Sequence, residues 1–256
     1  MQTNKIHKHE ITVSGTRWLF ALSTITAWSF ATLLLAHAST LGAILAGPLY
    51  TIPLISLGEW LVHGVMYHGR IPGLKFIRDI HHAGHHFALF PPKNYVQHGK
   101  YEFMRFRKPL VPFQMSDNAL DNWLTEWSQI GLHFVVGIPL ILAPAWLLTH
   151  SLPFFVSTLV TLGFVSWLLA YVHGVIHTPA DRAIEHLRWF QWLDRHHYIH
   201  HIDLSANINF LLPICDLLFG TQKAVLTDEE AAANPSFEEA KPQAKDIPRK
   251  PELVAA

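Results

Sequence analysis

Clustered histidines are the residues of this chain best suited to chemistry. The chain has 19 histidines among 256 residues, and twelve of them fall in four tight clusters. A neutral imidazole is the commonest metal ligand among side chains, and one ion rarely needs more than roughly four to six ligands. The clusters therefore predict a site for two metal ions. They are His63 and His68; His81, His82, His85 and His86; His173 and His177; and His196, His197, His200 and His201.

The spacing within two of these clusters fits one face of an α-helix. Residues at i, i+3 and i+4 share a face, which places three histidines of each four-residue cluster on one stripe. His81 and His196 fall one position off the stripe, and we expect them to support the ligands or to face the substrate, with a role as a ligand as the alternative for either. The residues predicted on the two stripes are His82, His85 and His86, and His197, His200 and His201.

The other two clusters have different spacings. His173 and His177 are four residues apart and share a helical face. His63 and His68 are five apart, about 140° on a regular helix. Either the helix ends between them or each serves a different ion. A lone histidine such as His133 is expected to be a hydrogen-bonded core residue.

The composition indicates a membrane protein. Half of the residues are apolar, 15% are charged, and the formal net charge is zero. Two blocks, Trp18–Gly58 and Trp127–Val172, contain no Asp, Glu, Lys or Arg. At ~1.5 Å per residue each block is long enough to cross a hydrocarbon core of ~30 Å twice. The predicted spans lie near residues 18–36, 42–62, 129–148 and 154–174.

The distribution of positive charge predicts a topology. All 19 Lys and Arg residues lie outside the two blocks, so the positive-inside rule places both termini and the central loop in the cytoplasm. Each pair of spans returns the chain to that side, and all four histidine clusters emerge there. We therefore predict an all-α membrane protein with four transmembrane helices in two hairpins and a cytoplasmic, histidine-rich helical cap. A bacterial inner membrane or the endoplasmic reticulum would suit it.

Three segments are expected along the chain. Residues 1–17 form a cytoplasmic N-terminal segment and residues 18–221 a single membrane-embedded domain. Residues 222–256 are rich in Ala, Pro, Glu and Lys and are predicted to be a disordered tail. The balanced charge and the lack of a basic patch interleaved with aromatics argue against nucleic acid as a partner.

The choice of metal is open from ligand type alone. The single cysteine, Cys215, offers no thiolate cluster, and imidazole suits Zn, Fe, Cu and Ni alike. A site for two ions that is poor in carboxylates does suit a redox di-iron centre that binds dioxygen.

The order of the clusters resembles the histidine boxes of the fatty acid hydroxylase / sterol desaturase superfamily of membrane di-iron oxygenases. The similarity runs from about Glu59 to Thr221 and includes the ending Asn209-Phe210 and Asp216-Leu-Leu-Phe-Gly-Thr221. Two positions depart from the family pattern, since Leu211 stands where Gly is usual and Cys215 where Trp is usual. The boxes are His63-x4-His68, His82-x2-His85-His86, His173-x3-His177 and His197-x2-His200-His201.

The resemblance implies a function. The family's ligands would hold two iron ions, with zinc as a possible substitute, and dioxygen would be the co-substrate. The di-iron centre itself would hydroxylate a C–H bond of a fatty acyl or related lipid chain, and no separate acid or base is assigned. Electrons would come from a separate donor of the cytochrome b5, ferredoxin or reductase type. The implied ligands are His63, His68, His82, His85, His86, His173, His177, His197, His200 and His201.

Three polar residues after the last box are candidates for supporting these ligands. Asn207, Asn209 and Asp216 are placed to hydrogen-bond imidazoles and fix their tautomers. Helix capping or loop structure is the alternative for each.

Other functions compete with hydroxylation. A desaturase or sterol oxidase of the same superfamily would share the oxidant. A membrane metal transporter would place ionisable groups midway through the spans, and a haem protein would favour isolated histidine pairs facing each other.

Overall fold

The computed structural model describes residues 11–79, 81–82, 85–86, 133–177 and 182–233, and this part of the chain is helical without a strand. Predicted features that fall in residues 87–132, including most of the central loop, lie outside the described residues. The main helices are α1 (Gly15–Ala38), α2 (Thr40–Trp60), α3 (Lys75–Arg78), α4 (His133–Thr149), α5 (Leu152–His177), α6 (Arg188–Ile202), α7 (Ile214–Phe219) and α8 (Asp228–Ala233).

Within the described residues, three helices are long and apolar enough to cross a membrane. They are α1, α5, and α2 together with the π-helix Leu61–Tyr67 that continues it. Their length and composition indicate a membrane protein. Where the sequence predicted a third span near residues 129–148, the structure has the shorter apolar helix α4, whose middle is a π-helical turn at Ile138–Leu142. The described residues thus contain three candidate spans, and residues 129–132 of the predicted third span lie outside them.

Helix α2 is the centre of the bundle, because it packs against both α1 and α5. A single residue, Ser39, connects α1 to α2, and its Oγ accepts a hydrogen bond from the Gly42 backbone N–H at 2.9 Å. Gly47 allows a close approach to α5, since a Cβ at this position would lie 2.6 Å from Ser157 Cβ. Small residues at such crossings let apolar helices pack closely in a membrane.

Two prolines inside α2 free backbone carbonyls that the neighbouring helices satisfy. Pro48 and Pro53 lack the N–H that would bond to the carbonyl four residues earlier. Those carbonyls belong to Ile44 and Leu49. Ser157 Oγ of α5 donates to Ile44 O at 2.7 Å, and Trp28 Nε1 of α1 donates to Leu49 O at 2.7 Å. Freed carbonyls in a membrane helix need such partners, so both prolines help to tie α2 to its neighbours.

The end of α2 also packs against the C-terminal part of the described chain. The rings of Trp18, Trp60 and Phe219 are in mutual contact, with centroids 4.3–5.4 Å apart. Gly220 ends α7 at a φ of 76°, and the Arg17 guanidinium occupies the space that a Cβ would take. This packing fixes α7 beside the end of α2.

The described part of the chain continues to residue 233. Lys223 Nζ donates to Asp203 at 2.7 Å and to Glu230 at 2.5 Å, and helix α8 follows. These contacts involve residues 222–233 of the predicted tail. Residues 234–256 of that tail lie outside the described residues.

Candidate metal centre

The histidine clusters converge at one end of the bundle into three groups that could hold metal ions. In each group the candidate ligand nitrogens all lie within 4.8 Å of one another, and the groups contain no carboxylate or thiolate. The third group shares His86 with the first and His85 with the second, so the first two adjoin. The groups are His63, His68, His81, His86 and His200; His85, His173, His177 and His197; and His85, His86 and His201.

Each of the two larger groups combines residues from both halves of the sequence. The first takes four histidines from the first half and His200 from the second. The second group takes three from the second half and His85 from the first. Neither half alone completes a group, so the two halves must pack together before either site exists.

A π-helix explains how His63 and His68 join one group. His63 lies in the π-helix Leu61–Tyr67 and His68 directly follows it, and His68 N–H donates to His63 O at 3.2 Å. This hydrogen bond spans five residues, the pattern that defines a π-helix, and it brings residues five apart to one face. The 140° separation expected on a regular helix therefore does not apply here.

The same geometry changes the register of the first box. His81, predicted as a supporting residue, contributes to the first group, and its Nε2 lies 3.0 Å from His63 Nε2 and 3.1 Å from His86 Nε2. His82, predicted as a ligand, belongs to none of the three groups. Its Nδ1 instead lies 3.1 Å from His68 Nδ1. The described residues of this segment are π-helical, so positions 81 and 86, five apart, come to face the site together.

The second box keeps the register expected of an α-helix. Helix α6 carries His197, His200 and His201, and all three belong to groups, as the spacing predicted. His197 Nε2 lies 2.9 Å from His177 Nε2 and 3.1 Å from His201 Nε2. His196 points elsewhere, with Nε2 donating to Asn209 O at 2.7 Å. His173 and His177 reach the second group from the last turns of α5.

Backbone carbonyls of one loop orient histidines from both halves. His63 Nδ1 lies 2.5 Å from Ile208 O, and His200 Nδ1 lies 2.7 Å from Ala206 O. Because a carbonyl oxygen only accepts, each Nδ1 must carry the proton, and each Nε2 then has a free lone pair. Such partners fix the tautomer and ring orientation of metal-ligating histidines.

Asp216 gives that loop its shape. Its carboxylate accepts from Ile208 N–H at 2.9 Å and from Asn209 N–H at 2.8 Å, and from the Thr221 hydroxyl at 2.5 Å. Asp216 Oδ2 also lies 3.4 Å from His196 Nε2. Asp216 therefore acts on His63 and His200 through the loop, which is the loop role that the sequence left open beside a direct contact with an imidazole.

The two asparagines also hold the loop in place. Asn207, at a φ of 53°, donates through Nδ2 to His196 O and to Lys223 O, both at 2.9 Å. Asn209 Nδ2 donates to Ser56 O at 2.8 Å. Both asparagines are fully buried. They are loop braces, the alternative role that the sequence left open.

Two residues of α2 also support the loop: the position of Glu59 four residues before His63 predicts such a support or the membrane boundary, whereas the sequence gives no prediction for Ser56. Glu59 Oε1 accepts from Phe210 N–H at 2.8 Å, and Ser56 Oγ donates to Leu212 O at 2.6 Å. Both residues come from α2 and hold the loop from the opposite side to Asp216. Both residues lie one or two helical turns before His63, and this position is the feature of the sequence that could indicate a supporting role. The loop carbonyls cannot be identified from a sequence, because every residue has one.

Burial favours the neutral form of the grouped imidazoles that come from the two four-histidine clusters. Desolvation lowers the pKa of His81, His85 and His86 well below the usual range, and neighbouring histidines lower it further. The same causes act on the pKa of His197 and His200. A neutral imidazole offers the lone pair that a metal ion needs.

The residues present fit a transition-metal ion. Nε2 of His200 is buried and has no hydrogen-bond partner among the described residues, and the same holds for Nε2 of His68. In the first group, His81 Nε2 lies 3.0 Å from His63 Nε2 and 3.1 Å from His86 Nε2. Converging lone pairs repel each other unless a cation or a proton lies between them. An all-imidazole ligand set suits Zn, Fe, Cu or Ni.

These features define a class: an all-helical membrane protein with buried histidine clusters that could hold metal ions. No family model, no curated protein and no solved structure matches the chain. The description of the site therefore depends on its own geometry.

Proposed function

We propose that this chain is a di-iron, dioxygen-dependent hydroxylase of a lipid C–H bond, on a fatty acyl or related chain. One observation carries the proposal: two adjoining all-histidine groups, each completed by a residue from the other half of the chain, lie at the ends of apolar helices. When bound, two iron ions would supply the reductive activation of dioxygen that oxidises an unactivated C–H bond.

The chain's own residues have three roles in this proposal. The first and second groups each hold one ion, and His86 and His201, whose Nδ1 atoms lie 3.3 Å apart, belong to the group between them. The loop carbonyls of Ala206 and Ile208 keep the protons of His200 and His63 on Nδ1. Burial excludes water, which limits side reactions of a reactive site.

The apolar helices support a lipid as the substrate. The π-helical end of α2 carries His63, and α5 carries His173 and His177, so both membrane-type helices lead directly to the histidines. A chain lying beside these helices would bring one carbon to the site while the rest stays in the membrane. Electrons would come from a separate donor of the cytochrome b5, ferredoxin or reductase type.

The proposal includes the topology that charge predicts. Both termini and the histidine groups would lie on the cytoplasmic side, in a bacterial inner membrane or the endoplasmic reticulum. The predicted span near residues 129–148, of which the structure describes α4, would serve as the third of four spans.

Lipid mass spectrometry of cells that express the protein tests the reaction. The expected result is a lipid that gains one oxygen atom with the intact chain and not with His200→Ala. His186→Ala is the matched control, because His186 is exposed and belongs to none of the groups. A lipid that instead loses two hydrogen atoms would replace hydroxylation by desaturation. Protein that carries zinc alone after growth with ample iron would contradict the oxygenase.

A further inference from the structure

A small cavity lies between α2, α4 and α5, apart from the histidine groups. Its volume is about 20 Å³. Two ionisable side chains, Glu59 and His133, line it, and the rest of its wall is apolar or glycine. The other lining residues are Leu54, Ile55, Gly58, Val62, Val136, Gly137, Leu140, Ile141 and Leu162.

Only one oxygen of the Glu59 carboxyl group bonds to the loop that orients the histidines. Oε1 accepts from Phe210 N–H, whereas Oε2 is buried and has no hydrogen-bond partner among the described residues. The residue as a whole is 5% exposed. An ionisable residue in a membrane-type helix is expensive to bury and usually marks a functional site.

His133 presents a second polar atom without a partner. Its Nδ1 is buried and makes no hydrogen bond within the described part of the chain. The sequence predicted a hydrogen-bonded core histidine at this position. The structure instead places the residue on the wall of the same cavity as Glu59.

The size and lining of the cavity define what fits. A cavity needs roughly 10–15 Å³ to hold a water molecule, and such a molecule needs polar partners. The volume of about 20 Å³ therefore accommodates one group of that size. A hydroxyl both donates and accepts, so it can satisfy Glu59 Oε2 and His133 Nδ1 whichever of them carries a proton.

We propose that this cavity binds one hydroxyl-sized group, a water molecule or the hydroxyl of a lipid, which hydrogen-bonds both Glu59 and His133. The site lies one helical turn before His63 on the same helix, and Glu59 connects it to the loop that orients the histidines. The proposal is independent of the metal and of the reaction.

A double-mutant cycle on the purified chain in phosphatidylcholine nanodiscs tests whether the two side chains share a ligand. His133→Phe is expected to lower the midpoint of thermal unfolding by about 2–4 °C, because it leaves Glu59 Oε2 unsatisfied. In a Glu59→Met background the same substitution is expected to change the midpoint by less than half as much. Equal shifts in both backgrounds, in nanodiscs without and with a hydroxyl-bearing lipid, would overturn the shared ligand.

Leu140→Ala is the matched control for this cycle. Leu140 lines the same cavity but offers no polar atom, so its effect is expected to be the same with Glu59 or Met at position 59. The source of the hydroxyl is tested by adding cholesterol or a long-chain alcohol to the nanodiscs. A midpoint coupling present without the additive identifies water, and one that appears only with the additive identifies a lipid hydroxyl.

A high-resolution structure of the chain in nanodiscs tests whether the cavity holds such a group even if a variant fails to fold. The expected result is density for one oxygen atom within hydrogen-bond distance of Glu59 Oε2 and His133 Nδ1. Direct contact between the two side chains, or a cavity filled by a neighbouring apolar side chain, would overturn the proposal.

Discussion

The two His-x-x-His-His boxes of this chain have the same spacing but present different histidines to the site. In the second box, on the regular helix α6, His197, His200 and His201 face the groups and His196 turns to Asn209 O. In the first box His81 takes the place that the spacing gives to His82. An identical motif thus yields two registers, because the described residues of the first segment are π-helical and the second segment is α-helical.

The spacing of histidines along a sequence predicts which of them share a helical face only when the pitch of the helix is known. Ligand positions at i, i+3 and i+4 assume α-helical turns. In the wider π-helical turn, positions i, i+4 and i+5 converge instead. The pair His63 and His68 follows the same rule, so the first-half histidines of the first group share a π-helical pattern that the second half lacks.

Alanine substitutions at four histidines test the difference in register between the two boxes, and they are expected to have the largest effects. His81→Ala and His197→Ala remove group members and should weaken metal binding by more than about 100-fold. His82→Ala and His196→Ala remove outer partners and should cost at most about 10–100-fold. Metal titration of the purified variants measures this. A larger loss for His82→Ala than for His81→Ala would show that the first box keeps the α-helical register.

Asp216→Asn tests both halves of the sequence at once, because one loop orients a histidine from each half. The substitution removes a charged acceptor of the Ile208 and Asn209 N–H groups, and the loop carbonyls bind His63 of the first half and His200 of the second. Metal affinity is expected to fall by about 10–100-fold. Asp203→Asn is the control, since Asp203 bonds Ser205 and Lys223 at the outside of the loop. An equal loss in both variants would contradict the role of Asp216.

Acid is expected to destabilise the metal-free protein through both boxes together. Burial holds the pKa of His81, His86, His197 and His200 well below the value of about 6.5 in an unfolded chain. Below pH ~6.5 the unfolded state therefore binds more protons, and the free energy of unfolding decreases as the pH is lowered. Thermal unfolding between pH 8 and 4 in chelator measures this, and a midpoint that rises on acidification would contradict it.

Ser157→Ala tests the packing between the halves and should have the smallest effect. Its hydroxyl bonds the Ile44 carbonyl that Pro48 leaves without a helical partner. Loss of this bond is expected to lower the free energy of unfolding by about 1–3 kcal/mol. Thr24→Ala is the control, because Thr24 Oγ1 bonds Phe20 O, which keeps its own partner within α1. Equal losses in the two variants would show that Pro48 needs no such support.

The features of the molecule that depend on residue type and local spacing could be predicted from the sequence. The sequence predicted a helical membrane protein and nine of the ten histidines that the groups contain. The length of an apolar segment and the spacing of histidines can both be read directly from the residue types. The sequence could not predict the register of His81, since π-helical pitch depends on tertiary packing. Nor could it find the carbonyls of Ala206 and Ile208, because every residue has one.

The third of the four predicted spans shows a feature that composition does not predict. An uncharged block long enough for two helices predicted a span near residues 129–148, and the described part of it, α4 from His133 onward, has a π-helical turn at Ile138–Leu142. Apolar content indicates where a membrane helix can lie, but it does not indicate where the helical pitch changes.

Elemental analysis of the purified, iron-loaded protein tests the central claim most directly. Two adjoining groups predict two bound metal ions per chain, and loss of both when His85 and His86, which link the groups, are replaced together by Ala. One ion per chain in the wild type, or two ions retained in that double variant, would contradict a paired centre built from both halves of the sequence.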